Sequence, residues 1–211
     1  GTRDFAIGLI PDLDYGDKTN QEASGKTQET AHAGLVGRLN YDFSNRYLVE
    51  FNFRYDGTYK FRAGNRWGFF PGVSLGWRVS EEAFFKKLLP DMDNLKIRAS
   101  YAKVGDEGDF DAFQYLDGYT SHGSYIMGSN GVTSGMTTVG MANPWLTWYE
   151  SKIMNIGFEA SYHRGLISVE FDWFRRNRSG LPATRVGSLP TIFGESMPQE
   201  NLNSDIKTGF E

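Results

Sequence analysis

The chain contains no cysteine, which excludes disulfide frameworks, thiolate metal sites and thiol nucleophiles together. Histidine is nearly as scarce. His32, His122 and His163 are the only three, and their scatter supports neither a metal triad nor a base–nucleophile pair, so no enzymatic site, cofactor or metal centre is expected. Basic excess is missing too: 22 Lys and Arg against 26 Asp and Glu give a formal net charge of -4, without the clustered positive field that nucleic acid demands. No run approaches the roughly 18 to 20 continuous apolar residues of a membrane helix, and the mean hydropathy is -0.47. That absence does not bear on a β-barrel, which hides its apolar surface in alternate residues. The chain opens at Gly1-Thr2-Arg3 without a charged-then-apolar leader, so any signal peptide is expected to lie outside it.

What is abundant is aromatic and glycine: 16 Phe, 11 Tyr, 5 Trp and 25 Gly, a mixture that favours twisted sheet with tight turns. The aromatics follow a period of two. Tyr47, Val49, Phe51, Phe53 and Tyr55 alternate with Glu50, Asn52, Arg54 and Asp56, and only Leu48 interrupts. Successive strand side chains point to opposite faces, so this segment carries one greasy and one charged face. Upstream, Ala33, Leu35, Leu39, Tyr41 and Phe43 oppose His32, Arg38, Asn40 and Asp42, with a turn at Ser44-Asn45 between the two segments. Trp67 to Val79 continues the alternation for longer than a soluble strand usually runs. Further strands are expected from Asn94 to Tyr101, from Ile153 to Tyr162, from Ile167 to Arg176, and from near Asn203 to the last residue.

Short or compact links at Ser44-Asn45, at a helix-like Glu81–Asp91 and at His163–Gly165 alternate with longer polar links at 57–66, 105–144 and 179–202. An outer-membrane barrel has this asymmetry, with short periplasmic turns and long extracellular loops. Aromatics at strand ends, namely Tyr47, Tyr55, Trp67, Trp77, Tyr101 and Trp173, match its interfacial girdles. The helix, with Glu81 and Glu82 at its start, Lys86 and Lys87 near its end and Pro90 beyond, complements its own dipole and is expected on the periplasmic side. The expected fold is therefore all-β: an antiparallel transmembrane β-barrel segment of about six to seven strands of a larger barrel, with one short periplasmic helix.

Several ordered motifs sharpen this reading. Asn45-Arg46-Tyr47-Leu48-Val49-Glu50, Arg54-Tyr55-Asp56-Gly57, Gly64-Asn65-Arg66-Trp67-Gly68-Phe69-Phe70-Pro71 and Ser74-Leu75-Gly76-Trp77-Arg78 resemble the barrel signature of SusC/RagA-type TonB-dependent transporters. Leu95-Lys96-Ile97-Arg98-Ala99-Ser100-Tyr101, Asn143-Pro144 with Leu146-Thr147-Trp148-Tyr149-Glu150, and Lys207-Thr208-Gly209-Phe210-Glu211 follow in the same order. The resemblance implies a barrel of about 22 antiparallel strands around an N-terminal plug, importing oligosaccharides or peptides across the outer membrane of a Gram-negative bacterium. It also implies energy relayed by TonB, through a segment absent from this chain, and a SusD-like surface lipoprotein over the barrel. On this reading residues 31–211 are part of the barrel, with long extracellular loops near 105–145 and 179–202, and residues 1–30 are an extracellular loop or strand end. A soluble β-sandwich acting as a carbohydrate-binding module is the rival, and it requires a second sheet over every apolar face. A passive porin-like barrel is a second rival.

Candidate contact residues follow from these placements. Tyr59, Phe61, Tyr115, Tyr119, Tyr125 and Trp145 fall in expected loops, where a flat ring with a polar edge stacks on a sugar or grips a peptide, unless it only packs loop against loop. Glu50, Arg54, Arg78 and Arg98 are expected to face the lumen, lining the path or holding the plug by charged hydrogen bonds, since Arg facing the bilayer midplane costs about 2–4 kcal/mol. Asp106, Glu107, Asp109 and Asp111 resemble a Ca²⁺ site in composition, but their spacing is not that of an EF-hand and a solvated loop accounts for them. The Gly128–Gly140 stretch lacks the Lys of a phosphate cradle and reads as a flexible extracellular loop.

Overall fold

A computed structural model of the chain describes residues 29–126, 132–187, 190, 192 and 194–211. The expected loop or strand end at residues 1–30 lies almost wholly outside them. From His32 onward, seven strands form one antiparallel sheet in the order β1-β2-β3-β4-β7-β8-β9. Their bounds are β1 His32–Phe43, β2 Tyr47–Thr58, β3 Trp67–Arg78, β4 Met92–Asp106, β7 Tyr149–Tyr162, β8 Ile167–Thr184 and β9 Gln199–Phe210. Strands β5 Tyr119–Ile126 and β6 Val132–Thr138 form a separate two-stranded sheet inside the β4–β7 connection. Each main-sheet strand thus pairs with the next one along the sheet, as in an up-and-down barrel wall.

One end of the sheet carries tight turns. Ser44 and Asn45 both adopt a φ of +56°, and His163 and Arg164 adopt +54° and +57°. Paired left-handed residues of this kind follow the twist of the flanking strands. The third link at this end is a 3-10 turn, Val79–Glu81, followed by α1, Ala83–Leu88. All three long connections emerge at the opposite end.

The register sorts the side chains into two faces. Leu39, Phe51, Val73 and Tyr101 stand in line across β1 to β4, and Tyr41, Val49, Leu75, Ala99, Ile156 and Trp173 across β1 to β8. Leu35, Leu39, Phe51, Phe69, Leu75 and Ile156 are all exposed. Among the described residues no second sheet covers this apolar face, which weighs against the sandwich reading. On β3 the face runs from Trp67 to Trp77, ten residue steps; at about 3.3 Å each and a strand tilt near 40°, that spans about 25 Å, the height of the apolar band of outer-membrane barrels. On β4 the band stops at Tyr101, opposite Val73 rather than Trp67.

Three strands run further than their alternation indicates. Strand β4 continues to Asp106, β8 to Thr184, and β9 starts at Gln199, so the second long loop shrinks from 179–202 to 185–198. The first contains the β5–β6 hairpin where only loop was expected. Backbone pairing extends these strands past the membrane band, where side chains no longer need to alternate.

Candidate functional site

The loop end is organised by a small aromatic core. Phe61, Phe110, Leu146 and Tyr149 are buried together, with Trp148 and Leu181 packed around them. The Phe61 ring lies 5.4 Å from Phe110 and 5.9 Å from Trp148, edge to face. Burying aromatic rings in this arrangement stabilises loops that otherwise have only backbone turns. Polar side chains then fasten the loops to one another. Asn65 Nδ2 donates to the carbonyls of Pro144 (3.4 Å) and Leu146 (3.2 Å), and Trp148 Nε1 donates to the Arg66 carbonyl (2.9 Å). Asn201 Nδ2 donates to the carbonyls of Thr147 and Gly180, both at 2.8 Å, while its Oδ1 accepts from the Thr147 amide at 3.0 Å. The motifs around Asn65 and Trp148, some eighty residues apart, are two halves of one joint.

This geometry separates the loop aromatics. Phe61 is 1 % exposed and has no surface to offer a ligand. Tyr59 sits edge-on between His32 and Phe113, and Tyr115 lies beside Phe113 at 6.3 Å. Trp145 and Tyr119 point outward, 78 % and 69 % exposed. Of Tyr125 only the backbone is described, on β5 in register with Thr133. A cleft lined by Met141, Asn143, Trp145, Met197, Pro198 and Glu200 lies beside the Trp145 ring. The acidic loop is engaged internally: Asp106 accepts from the Tyr149 hydroxyl at 2.6 Å and from the Gly108 amide at 2.8 Å, and Glu107 lies 3.3 Å from His32. Among the described residues no three His, Asp or Glu side chains converge.

The polar face of the sheet carries the charges. Arg54 holds Asp56 at 2.8 Å, and Glu50 stands 3.7 Å from Arg38 and accepts from Asn52 at 3.3 Å. Arg78 is opposite Lys96 near the turn end. Arg98 is the hub: it reaches Glu159 at 2.6 Å, Glu170 at 2.5 Å, and both carboxylate oxygens of Asp172. Lys96 adds a second cation, 3.7 Å from Glu159. Glu50, Arg54, Arg78 and Arg98 therefore share one face, but only Arg98 ties three strands together. Phe70 also lies on this face, buried against Trp148 at 5.4 Å and over Gly105. An aromatic among the polar and small residues of this face, it is accounted for by the Trp148 ring packed against it.

At the turn end Glu82 is buried and accepts from the Tyr47 hydroxyl at 2.8 Å and from Trp77 Nε1 at 3.3 Å, with Arg46 at 3.5 Å. These bonds, the Tyr47 hydroxyl first, hold its carboxyl below the usual carboxylate range against the opposing cost of burial. Glu82 occupies the N-cap position of α1 but makes no capping bond with its side chain. The expected dipole role is thus replaced by an anchor for two girdle aromatics. Lys86 and Lys87 do stand in the last turn, and Lys86 binds Glu81 at 2.6 Å, which holds the Glu81 carboxyl down as well.

A two-faced antiparallel wall with a girdled apolar band and a loop core built from ordered motifs is the architecture that known proteins can be compared with. A family model described as "TonB dependent receptor-like, beta-barrel" matches residues 3–207. The chain belongs to the TonB-dependent receptor β-barrel family. Within that family it is of the SusC/RagA type: it is 32 % identical over 196 residues to the TonB-dependent receptor SusC of Bacteroides thetaiotaomicron, covering 92 % of this chain. Solved structures of the RagAB peptide importer, in its "closed-closed" and "open-open" states, each superpose with a TM-score of 0.74 over 99 % of this chain at 20 % identity, a likeness of fold. The chain spans 19 % of SusC and 22 % of the superposed RagAB chain. In this TonB-dependent receptor wall, then, β1 to β4 and β7 to β9 are successive barrel strands.

Proposed function

We propose that this chain forms part of the wall of an outer-membrane TonB-dependent transporter of a Gram-negative bacterium, importing a bulky nutrient such as an oligosaccharide or peptide without chemically transforming it. The observation that carries the reading is the uncovered apolar band of the sheet, backed by a face of matched charges. Lipid is the medium that tolerates the first and forbids the second. In such a barrel the tight turns face the periplasm and the loop core faces outward. Trp145 and Tyr119 meet the nutrient from the loops, while Glu50, Arg54, Arg78 and Arg98 line the lumen and hold a plug. A SusD-like lipoprotein covers the loop end, and TonB supplies the energy through residues other than these. The RagAB structures are named as those of a peptide importer, and the match to the TonB-dependent receptor SusC supports TonB-dependent import.

The test is genetic. Deleting the intact gene in its host and supplying oligosaccharides and peptides singly as sole nutrient should abolish growth on one of them, and deleting TonB should have the same effect. Unchanged growth and uptake across both classes would overturn the proposal.

A further inference from the structure

At the turn end the apolar face closes in a row of Phe43, Tyr47, Trp77 and Ile97, set side by side across β1 to β4. The two polar atoms that this row offers, the Tyr47 hydroxyl and Trp77 Nε1, donate to one and the same oxygen, Oε1 of Glu82. Both rings stand on the apolar face, so the carboxylate that joins them lies on that side of the wall. Glu82 is also the N-cap residue of α1, and the helix therefore starts beneath the apolar surface rather than beneath the charged one. Each residue of an α-helix turns about 100° from the last, which sorts this short sequence around its axis. Phe85 is buried. Phe84 and Leu88, four apart, share the neighbouring strip and are 60 % and 73 % exposed. Lys86 and Lys87 take the remaining arc, and Lys86 is tied to Glu81. Two large apolar side chains thus stand together on one strip that no described residue covers. A helix divided in this way suits the plane of a membrane interface, where its apolar side enters about 5–10 Å into the boundary between headgroups and acyl chains.

We propose that α1 is an interfacial helix, with the Phe84 and Leu88 side chains seated among the lipid acyl chains of the leaflet at the turn end. This rests on the membrane reading above, which makes the row of Tyr47 and Trp77 the edge of the hydrocarbon there. Continuity decides the occupant: the helix starts where the lipid-facing row ends, on the same side of the wall, with Glu82 as the link between them. The chemistry agrees, because neither Phe84 nor Leu88 has a side-chain donor or acceptor to satisfy, while a lysine stem on the adjoining arc can carry its ammonium back to the headgroup water. The buried Glu82 carboxylate then fixes the height of the helix against the rim. Shifting the wall toward water would uncover two apolar side chains and bury none, so the helix holds the rim at one depth in the leaflet.

The experiment uses the intact protein in vesicles of phosphatidylethanolamine and phosphatidylglycerol, doped with a phosphatidylcholine that carries a nitroxide near the headgroup end of its acyl chain. Reporter cysteines are introduced one at a time and labelled with a small fluorophore: Leu88→Cys on the exposed strip, Lys86→Cys on the far side of the helix, and Leu75→Cys within the apolar band of β3. The nitroxide lipid should remove as much fluorescence at position 88 as at position 75 and leave the label at position 86 largely intact. Iodide in the water should give the reverse order. A label at position 88 that iodide quenches and the nitroxide lipid does not would overturn the proposal, and so would one shielded from both quenchers by a second copy or another polypeptide. Phe84→Cys supplies the same reading if Leu88→Cys yields no heat-modifiable barrel. Failure of the nitroxide lipid to quench the label at position 75 strikes the membrane reading itself. Quenching at position 75 without quenching at position 88 strikes only the placement of α1.

Discussion

Arg98 on β4 bonds Asp172 on β8 by reaching across the full width of β7, over Gly157. A Cβ at Gly157 would collide with the Asp172 carboxylate and lie 2.6 Å from the Phe171 carbonyl. The glycine is the gap through which a three-strand ion cluster closes.

Gly157→Val should therefore lower the stability of the assembled barrel by about 1–3 kcal/mol, the range for steric loss of a polar network. Urea unfolding of the intact protein, followed by the gel mobility of the folded form, measures it. Arg98→Gln should cost more than Asp172→Asn. Arg98 and Lys96 face Glu159, Glu170 and Asp172, two positive charges against three negative; losing Arg98 leaves three carboxylates around one cation, whereas neutralising Asp172 leaves a balanced set.

Phe51→Arg and Val73→Arg should each block assembly, at about 2–4 kcal/mol per guanidinium placed toward the hydrocarbon, while Asn52→Arg on the opposite face should be tolerated. Heat-modifiability in outer-membrane fractions reads the difference. Equal tolerance at all three positions would remove the assigned lipid face.

Acid should loosen the turn end. The folded protein holds the Glu82 carboxyl below its ordinary range, so the unfolded chain takes up the proton first as pH falls. The stabilisation is fully present above the ordinary carboxylate range and is lost as pH drops through the depressed value. Glu82→Gln should flatten that part of the stability profile, which unfolding midpoints at a series of pH values will show.

Phe61→Ala should cost about 3–5 kcal/mol of loop-core packing and make the loops sensitive to added protease on whole cells. Trp145→Ala should leave protease resistance unchanged yet weaken nutrient uptake. The reverse pattern would exchange the two roles.

The sequence alone determined the strands of the membrane band and their two faces. Tyr47 to Tyr55 and Trp67 to Trp77 declare their sidedness because strand geometry makes every second residue share a face, a property readable from neighbours in the chain. The turn at Ser44-Asn45 and the approximate place of α1 were legible for the same local reason. Of the site candidates, the charges gathered on the polar face came from that periodicity too. Tertiary structure decided the rest: the burial of Phe61 against Phe110, the joint between Asn65 and Trp148, the passage of Arg98 over Gly157, the β5–β6 hairpin, and the choice of Trp145 over Phe61 as an outward ring. Each depends on segments that are remote in sequence, or on backbone pairing beyond the band, where lipid no longer imposes an alternation to read.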